Sequence, residues 1–209
     1  MNARAHLSRL FDALRDAREA EYALLEGPPN DLAPLLSEAV EEALDHHDPD
    51  ESDLRLRALI DLCAQVPGPA MADALLAILD HPDPQIRTEA GEAILDVAYE
   101  RFKEVARAIE RRLDAQHEGE GMQELPFVLT EIRDPDPIPL LARFLAHPEP
   151  MVVAATIEAL AGYGDPAAAD HLTPLLEDER EATLEDVDEA PTTIGELAAA
   201  ALEELGTEP

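Results

Sequence analysis

The residues in this 209-residue chain with the most chemistry in them are histidines set beside carboxylates at a recurring place. His46-His47 precede Asp48, His81 stands two before Asp83, and His147 stands two before Glu149. Imidazole beside carboxylate is the material of a metal site or of a general-base pair. A metal needs three or four ligands converging at about 2 Å. Stacked helices lie about 10 Å apart, so groups from successive units do not converge that closely. The spacing therefore predicts turn chemistry, with no metal and no cofactor. Asp48-Pro49-Asp50-Glu51-Ser52-Asp53 is acidic enough for calcium, but it lacks the Gly at the sixth and the Glu at the twelfth loop position of an EF-hand. The single thiol, Cys63, can make no intramolecular disulfide or thiolate cluster, and behind Leu59, Ile60 and Leu62 it reads as a core residue. No GxSxG, P-loop, HExxH or paired-cysteine motif occurs. Carboxylates are so many that any two can be paired by eye, which is no sign of acid–base catalysis. The chain is expected not to be an enzyme.

The elements that carry these groups repeat. His81-Pro82-Asp83-Pro84-Gln85-Ile86-Arg87 returns as His147-Pro148-Glu149-Pro150-Met151-Val152-Val153, 66 residues later. That offset is about twice a 33-residue period, of the size that marks a solenoid. Apolar residues make up 46% of the chain and aromatics only 3%, with no Trp, so the core must be Leu, Ala, Ile and Val. Such residues favour closely stacked helices, and the β-branched runs bounded by turn dipeptides that mark strands are missing.

Residues 2–26 have Leu7, Leu10, Phe11, Leu14 and Ala17 at helical spacing, with Arg4, Arg9, Arg15 and Arg18 on the other faces. Gly27-Pro28-Pro29-Asn30 ends this helix. Residues 1–27 are expected to cap the end of a stack; the alternative is a partner-docking or dimerising helix. After the break, first-type helices are predicted over 31–45, 69–80, 101–115, 137–146 and 166–177. Second-type helices are predicted over 52–66, 84–100, 122–132, 149–163 and 193–205. Leucine pairs recur in the first set at 35–36, 75–76, 140–141 and 175–176. In the second set Ile86, Ala90, Ala93, Ile94 and Val97 share a face, matched by Val152, Thr156, Ala159 and Leu160 and by Ile194, Ala198, Ala201 and Leu202. The prolines fall in turns or first helical turns, where a missing N–H costs little. Thr193-Ile194-Gly195-Glu196 reads as a capping box.

Asp83-Pro84-Gln85-Ile86-Arg87 followed by Ala90, Ala93 and Ile94, and the turn Gly162-Tyr163-Gly164-Asp165-Pro166, resemble HEAT repeats, and more closely the bacterial PBS-lyase HEAT-like variety. Leu54-Arg55 with Ala58 is a weaker copy. The resemblance implies an all-α solenoid over residues 31–206, in units of about 31–66, 69–100, 101–133, 135–163 and 166–205. It implies a scaffold or adaptor rather than a catalyst. The chain departs from the pattern where the motif's Arg becomes Val153 and Gly195, and where Gly119, Gly121 and Pro126 surround the third turn. A regular Asp–Arg ladder is therefore not expected.

The charge narrows the partner. Forty-seven acidic residues oppose 15 basic ones, for a net charge of −32. Residues 134–209 hold 18 acids against Arg143 and Arg180 alone. Phosphate recognition needs Lys and Arg, so direct nucleic-acid binding is not expected, and anionic membranes are disfavoured on the same ground. No segment approaches 18 consecutive apolar residues, and no secretory leader is recognisable, so a soluble cytoplasmic protein is expected. The second helices are expected to line a concave face and to offer Arg57, Asp61, Glu89, Glu92, Asp96 and Glu158 to a basic protein surface or tail. The stretch 177–191, eight acids in fifteen residues, breaks the period and adds Glu185, Asp186, Asp188 and Glu189 as further candidates. The rival readings are a solubilising acidic surface, an inhibitor or immunity-type DNA mimic that blocks a basic protein, and an accessory protein like the phycobilin lyases that the repeats resemble. Nothing in the sequence singles out a bilin site, and the oligomeric state is open.

Overall fold

Proline sets where the helices begin. Pro29, Pro49, Pro69, Pro84 and Pro150 each stand in a first helical turn, whose amides have no intrahelical acceptor to lose. The computed structural model of the protein describes residues 3–182 and 192–206. Among these described residues ten α-helices follow in order: α1 Ala3–Leu25, α2 Pro29–Leu44, α3 Pro49–Gln65, α4 Pro69–Ile78, α5 Pro84–Asp114, α6 Glu120–Thr130, α7 Ile138–Phe144, α8 Pro150–Tyr163, α9 Ala169–Leu172 and α10 Ile194–Glu204. The only sheet among the described residues is a two-residue ladder, β1 Glu181–Ala182 against β2 Thr192–Thr193.

The helices form two layers. One runs through α2, α4, the second half of α5, α7 and the α9 region; the other runs through α3, the first half of α5, α6, α8 and α10. Each helix packs mainly on its partner and its neighbours along the stack, as a solenoid requires. The apolar positions at helical spacing meet between the layers. Leu75, Ile86, Ile94, Ile109, Leu125, Leu141, Phe144, Leu160 and Ile194 belong to one continuous buried cluster. Ala90, Ala108 and Ala198 are fully buried there, where a larger side chain would push the layers apart. This is the all-α solenoid that the periodicity implies. No helix among the described residues is long and apolar enough to cross a membrane.

Three local features bear on what the sequence leads one to expect. The first is the N-terminal helix. It forms, and none of its residues is buried, although Leu25 at its end packs against the core. The second is α5, in which two helices meet at a kink at Arg101 (φ −135°, ψ 43°), where the sequence places the joint between 84–100 and 101–115. The Arg101 guanidinium donates to the carbonyls of Ala64 at 2.5 Å and Val66 at 2.9 Å, which satisfies orphan acceptors at the end of α3. The third is the segment 166–177, expected as one helix. It is a 3₁₀ turn at Pro166–Ala168, the four-residue α9, and a second 3₁₀ turn at Thr173–Leu175. Pro174 supplies no amide to an α-helical ladder, and Thr173 Oγ1 donates to the Ala169 carbonyl instead.

Candidate functional site

The histidine–carboxylate groups build turns. His46, His81 and His147 each accept, through Nδ1, the backbone N–H of the acid two residues on, at 3.2 Å in all three turns. That bond requires the neutral ring with its proton on Nε2. The acids then cap the following helices: Asp48 accepts from Asp50 N, Asp83 from Gln85 N and Glu149 from Met151 N. Asp165 does the same for Ala167 N. Gly164 before it has φ +75°, a left-handed C-cap that a side chain would strain. Among the described residues no three His, Cys, Asp or Glu side chains are placed to hold a metal ion. Cys63 is buried, and that burial pushes its thiol up to about 12, far from a reactive thiolate.

The departures from the repeat pattern have structural causes. Arg87 donates to the carbonyls of His81 and Pro82 and pairs with Glu124 at 2.5 Å. In the later copy Val153 stands where this arginine would be, and Arg180 takes over from a distance. It donates to the carbonyls of His147 and Pro148 and is held by the Asp178 carboxylate at 2.6 Å. Arg180, through its hydrogen bond, keeps the Asp178 carboxyl below the usual range, and Asp178 raises the guanidinium in return. Equivalent turns are thus each closed by an arginine, from different points in the repeat. Sequence reasoning passed over Arg180 because its partners lie 32 and 33 residues away.

Asp80 is the second group that sequence reasoning missed. Its carboxylate accepts from Arg112 at 2.5 Å, from His117 Nε2 at 2.8 Å and from Gly121 N at 3.1 Å. A Cβ on Gly119 or Gly121 would run into that carboxylate, which explains why the third turn has Gly119 at the helix cap where the histidine turns have Asp or Glu.

The expected partner residues divide into three sets. Arg57, Asp61, Glu89, Glu92 and Asp96 come together along one groove between α3 and the first half of α5, with a volume of about 490 Å³. Arg57 reaches across it to Glu89, so these two are engaged with each other. Asp61, Glu92 and Asp96 are exposed, and no ion pair among the described residues involves them. Glu158 is exposed on α8 and lines a separate groove with α6 and α10. Glu185, Asp186, Asp188 and Glu189 lie outside the described residues. On the other layer, arginines neutralise acids between neighbours: Arg111 grips Asp73 with two bonds at 2.7 and 2.8 Å, and Arg143 reaches Glu110 and Asp114. The uncompensated carboxylates of the α3–α5 groove therefore belong to one side of the stack.

A family-model comparison agrees with this architecture. Residues 123–190, from α6 into the segment after α9, match the family model of HEAT repeats. The crystal structure of an engineered protein, a Northeast Structural Genomics Consortium target, is similar at 18% identity and a TM-score of 0.35, over 90% of this chain and 89% of that one. No curated protein matches.

Proposed function

We propose that this chain, which carries HEAT repeats, is a non-catalytic binding scaffold that takes a basic protein segment into the groove between α3 and α5. HEAT repeats in general mediate protein–protein interaction. The observation that supports the finer reading is the convergence of Asp61, Glu92 and Asp96 on one groove whose single cation, Arg57, is already held by Glu89. Glu89, Glu92 and Asp96 follow one another at i, i+3 and i+7 on one helix. Like charges so placed repel by a few tenths of a kcal/mol per pair, ~0.2–0.5. A lysine- or arginine-bearing segment laid in the groove relieves that repulsion. Exposed charge acts chiefly on encounter rate and specificity, so association should slow steeply as salt rises from about 50 to 300 mM.

The test is fluorescence anisotropy with a labelled helical peptide that carries four arginines on one face. The scaffold reading expects saturable binding that weakens with salt. It expects Glu92→Gln/Asp96→Asn to weaken binding at least fivefold, and Glu41→Gln/Glu42→Gln on α2 to change it by less than twofold. Equal losses from the two pairs, or no binding at 50 mM salt, would leave the acidity a solubilising feature only.

A further inference from the structure

We infer that α1 of one copy docks into the groove between α6, α8 and α10 of a second copy. The helix has an apolar stripe that its own chain does not bury. Of the ten large apolar side chains that are exposed among the described residues, six lie on α1: Leu7, Leu10, Phe11, Leu14, Tyr22 and Leu24, at 45–63% exposure. Leu7, Leu10, Leu14 and Ala17 alternate steps of three and four, the narrow seam by which one helix packs on others. Most helical stability in proteins comes from packing such a face, so a 23-residue helix with none of it buried is incomplete as it stands.

The receiving groove has the opposite character. It has a volume of about 710 Å³ and is walled by Phe127 and Leu197, with Ala161 and Ala200 leaving room for a helix to approach closely. Glu158 and Glu204 are the charged residues among those that line it, and both are exposed. On α1, Arg18 and Arg15 flank the apolar stripe by helical spacing, beside Phe11 and Tyr22. Leucines on the apolar walls then bring arginines to the glutamates.

Charge also selects which surfaces meet. Residues 3–25 hold four arginines and four acids, so α1 is neutral while the rest of the chain carries the whole −32. Two copies repel wherever acidic surface meets acidic surface, and α1 is the element exempt from that repulsion. Within one chain α1 packs by α2 and α3 at the start of the stack, whereas the groove is built by α6, α8 and α10 toward its end. The contact is therefore heterologous, head to tail, and propagates unless it closes into a ring. It shares no lining residue with the α3–α5 groove proposed above, so the two readings fail separately.

The test is sedimentation equilibrium of the full chain from about 5 to 200 μM, with helix content checked by circular dichroism. Wild type is expected to exceed 22.7 kDa increasingly with concentration. Leu10→Asp/Leu14→Asp on α1 and Ala200→Trp/Glu204→Lys in the groove should each weaken self-association at least tenfold. An equimolar mixture of the two variants retains one intact helix and one intact groove, so it should form a dimer and nothing larger. A wild type that stays monomeric overturns the inference. So does a groove variant that associates as wild type does, since that is the behaviour of an α1–α1 pair, and so does a mixture that stays monomeric while wild type associates. The helix variant alone is informative even if the groove variant unfolds: no buried residue is altered in it, and undiminished association by it also overturns the inference.

Discussion

Asp80 and Gly119 should be energetically coupled, and a double-mutant cycle measures by how much. Asp80 and Arg112 are 21% and 15% exposed at their side chains, so their ion pair is sheltered from water. Asp80→Ala removes that pair, the bond from His117 and the acceptor for Gly121 N. A hydrogen bond to a charged group is worth about 1.5–3 kcal/mol, and His117 at 38% exposure adds little, so the loss should be about 3 kcal/mol. Gly119→Ala costs nothing in backbone strain, because φ is 178° and any residue adopts it. Its cost comes from the new methyl, which meets the Asp80 carboxylate and must drive it off Gly121 N and Arg112, about 2 kcal/mol. In the double variant the methyl occupies space that Asp80 has vacated. The total should be about 3.5 kcal/mol, some 1.5 less than additive. Thermal unfolding of a chain this size moves about 2–4 °C per kcal/mol, so Asp80→Ala should lower Tm by roughly 6–12 °C. Additivity within about 0.5 kcal/mol would show that Gly119 is not there to make room for Asp80.

Three further outcomes follow from burial and charge. Ile94 is 1% exposed, so Ile94→Asp should cost about 3–5 kcal/mol in urea unfolding, while Glu92→Ala on the exposed face should cost about 0.5 or less; equal losses would mean that the faces of α5 are wrongly assigned. The Cys63 thiol, pushed up to about 12 by burial, should resist a thiol reagent at pH 8 in the folded protein and react fully in denaturant; rapid native labelling contradicts its place in the core. Asp178 has a depressed folded pKa, so its bond to Arg180 stabilises above the unfolded carboxylate value and is lost as pH falls through the folded one. The stability gap between wild type and Arg180→Met should be constant from pH 7 to about 5 and narrow below about 4, and a gap that persists undiminished to pH 3 refutes the pairing.

The helices were legible because their signals are local. Period, proline position and the Thr193–Glu196 capping box all lie within a few residues of the structure that they specify, and that box forms as read. The second helices were legible as a face, and Arg57, Asp61, Glu89, Glu92 and Asp96 do share a groove. What escaped were pairings set by the stacking of units. Arg57 with Glu89, Arg112 with Asp80, and Arg180 with the His147 turn join residues 32 or 33 apart, one repeat along. Nothing in the local pattern says which of several arginines reaches which carbonyl. The exposure of α1 escaped for a related reason. An amphipathic stripe says that a face wants covering, but whether the chain's own end supplies the cover depends on the angle of the chain at Gly27-Pro28.

The joint at Arg101, where the two helices of α5 meet with no loop between them, changes what can be cut, copied or lengthened in this array. Repeats joined by loops tolerate added or missing residues, because a loop absorbs them. A residue inserted into a helix turns everything after it by about 100° and lifts it about 1.5 Å. At position 101 that would pull the guanidinium away from the Ala64 and Val66 carbonyls and carry Glu104 away from Gly68 N. The two helices of α5 are therefore best cut or copied together, as one module. Growth or shrinkage of the array belongs at the looped joints on either side of it.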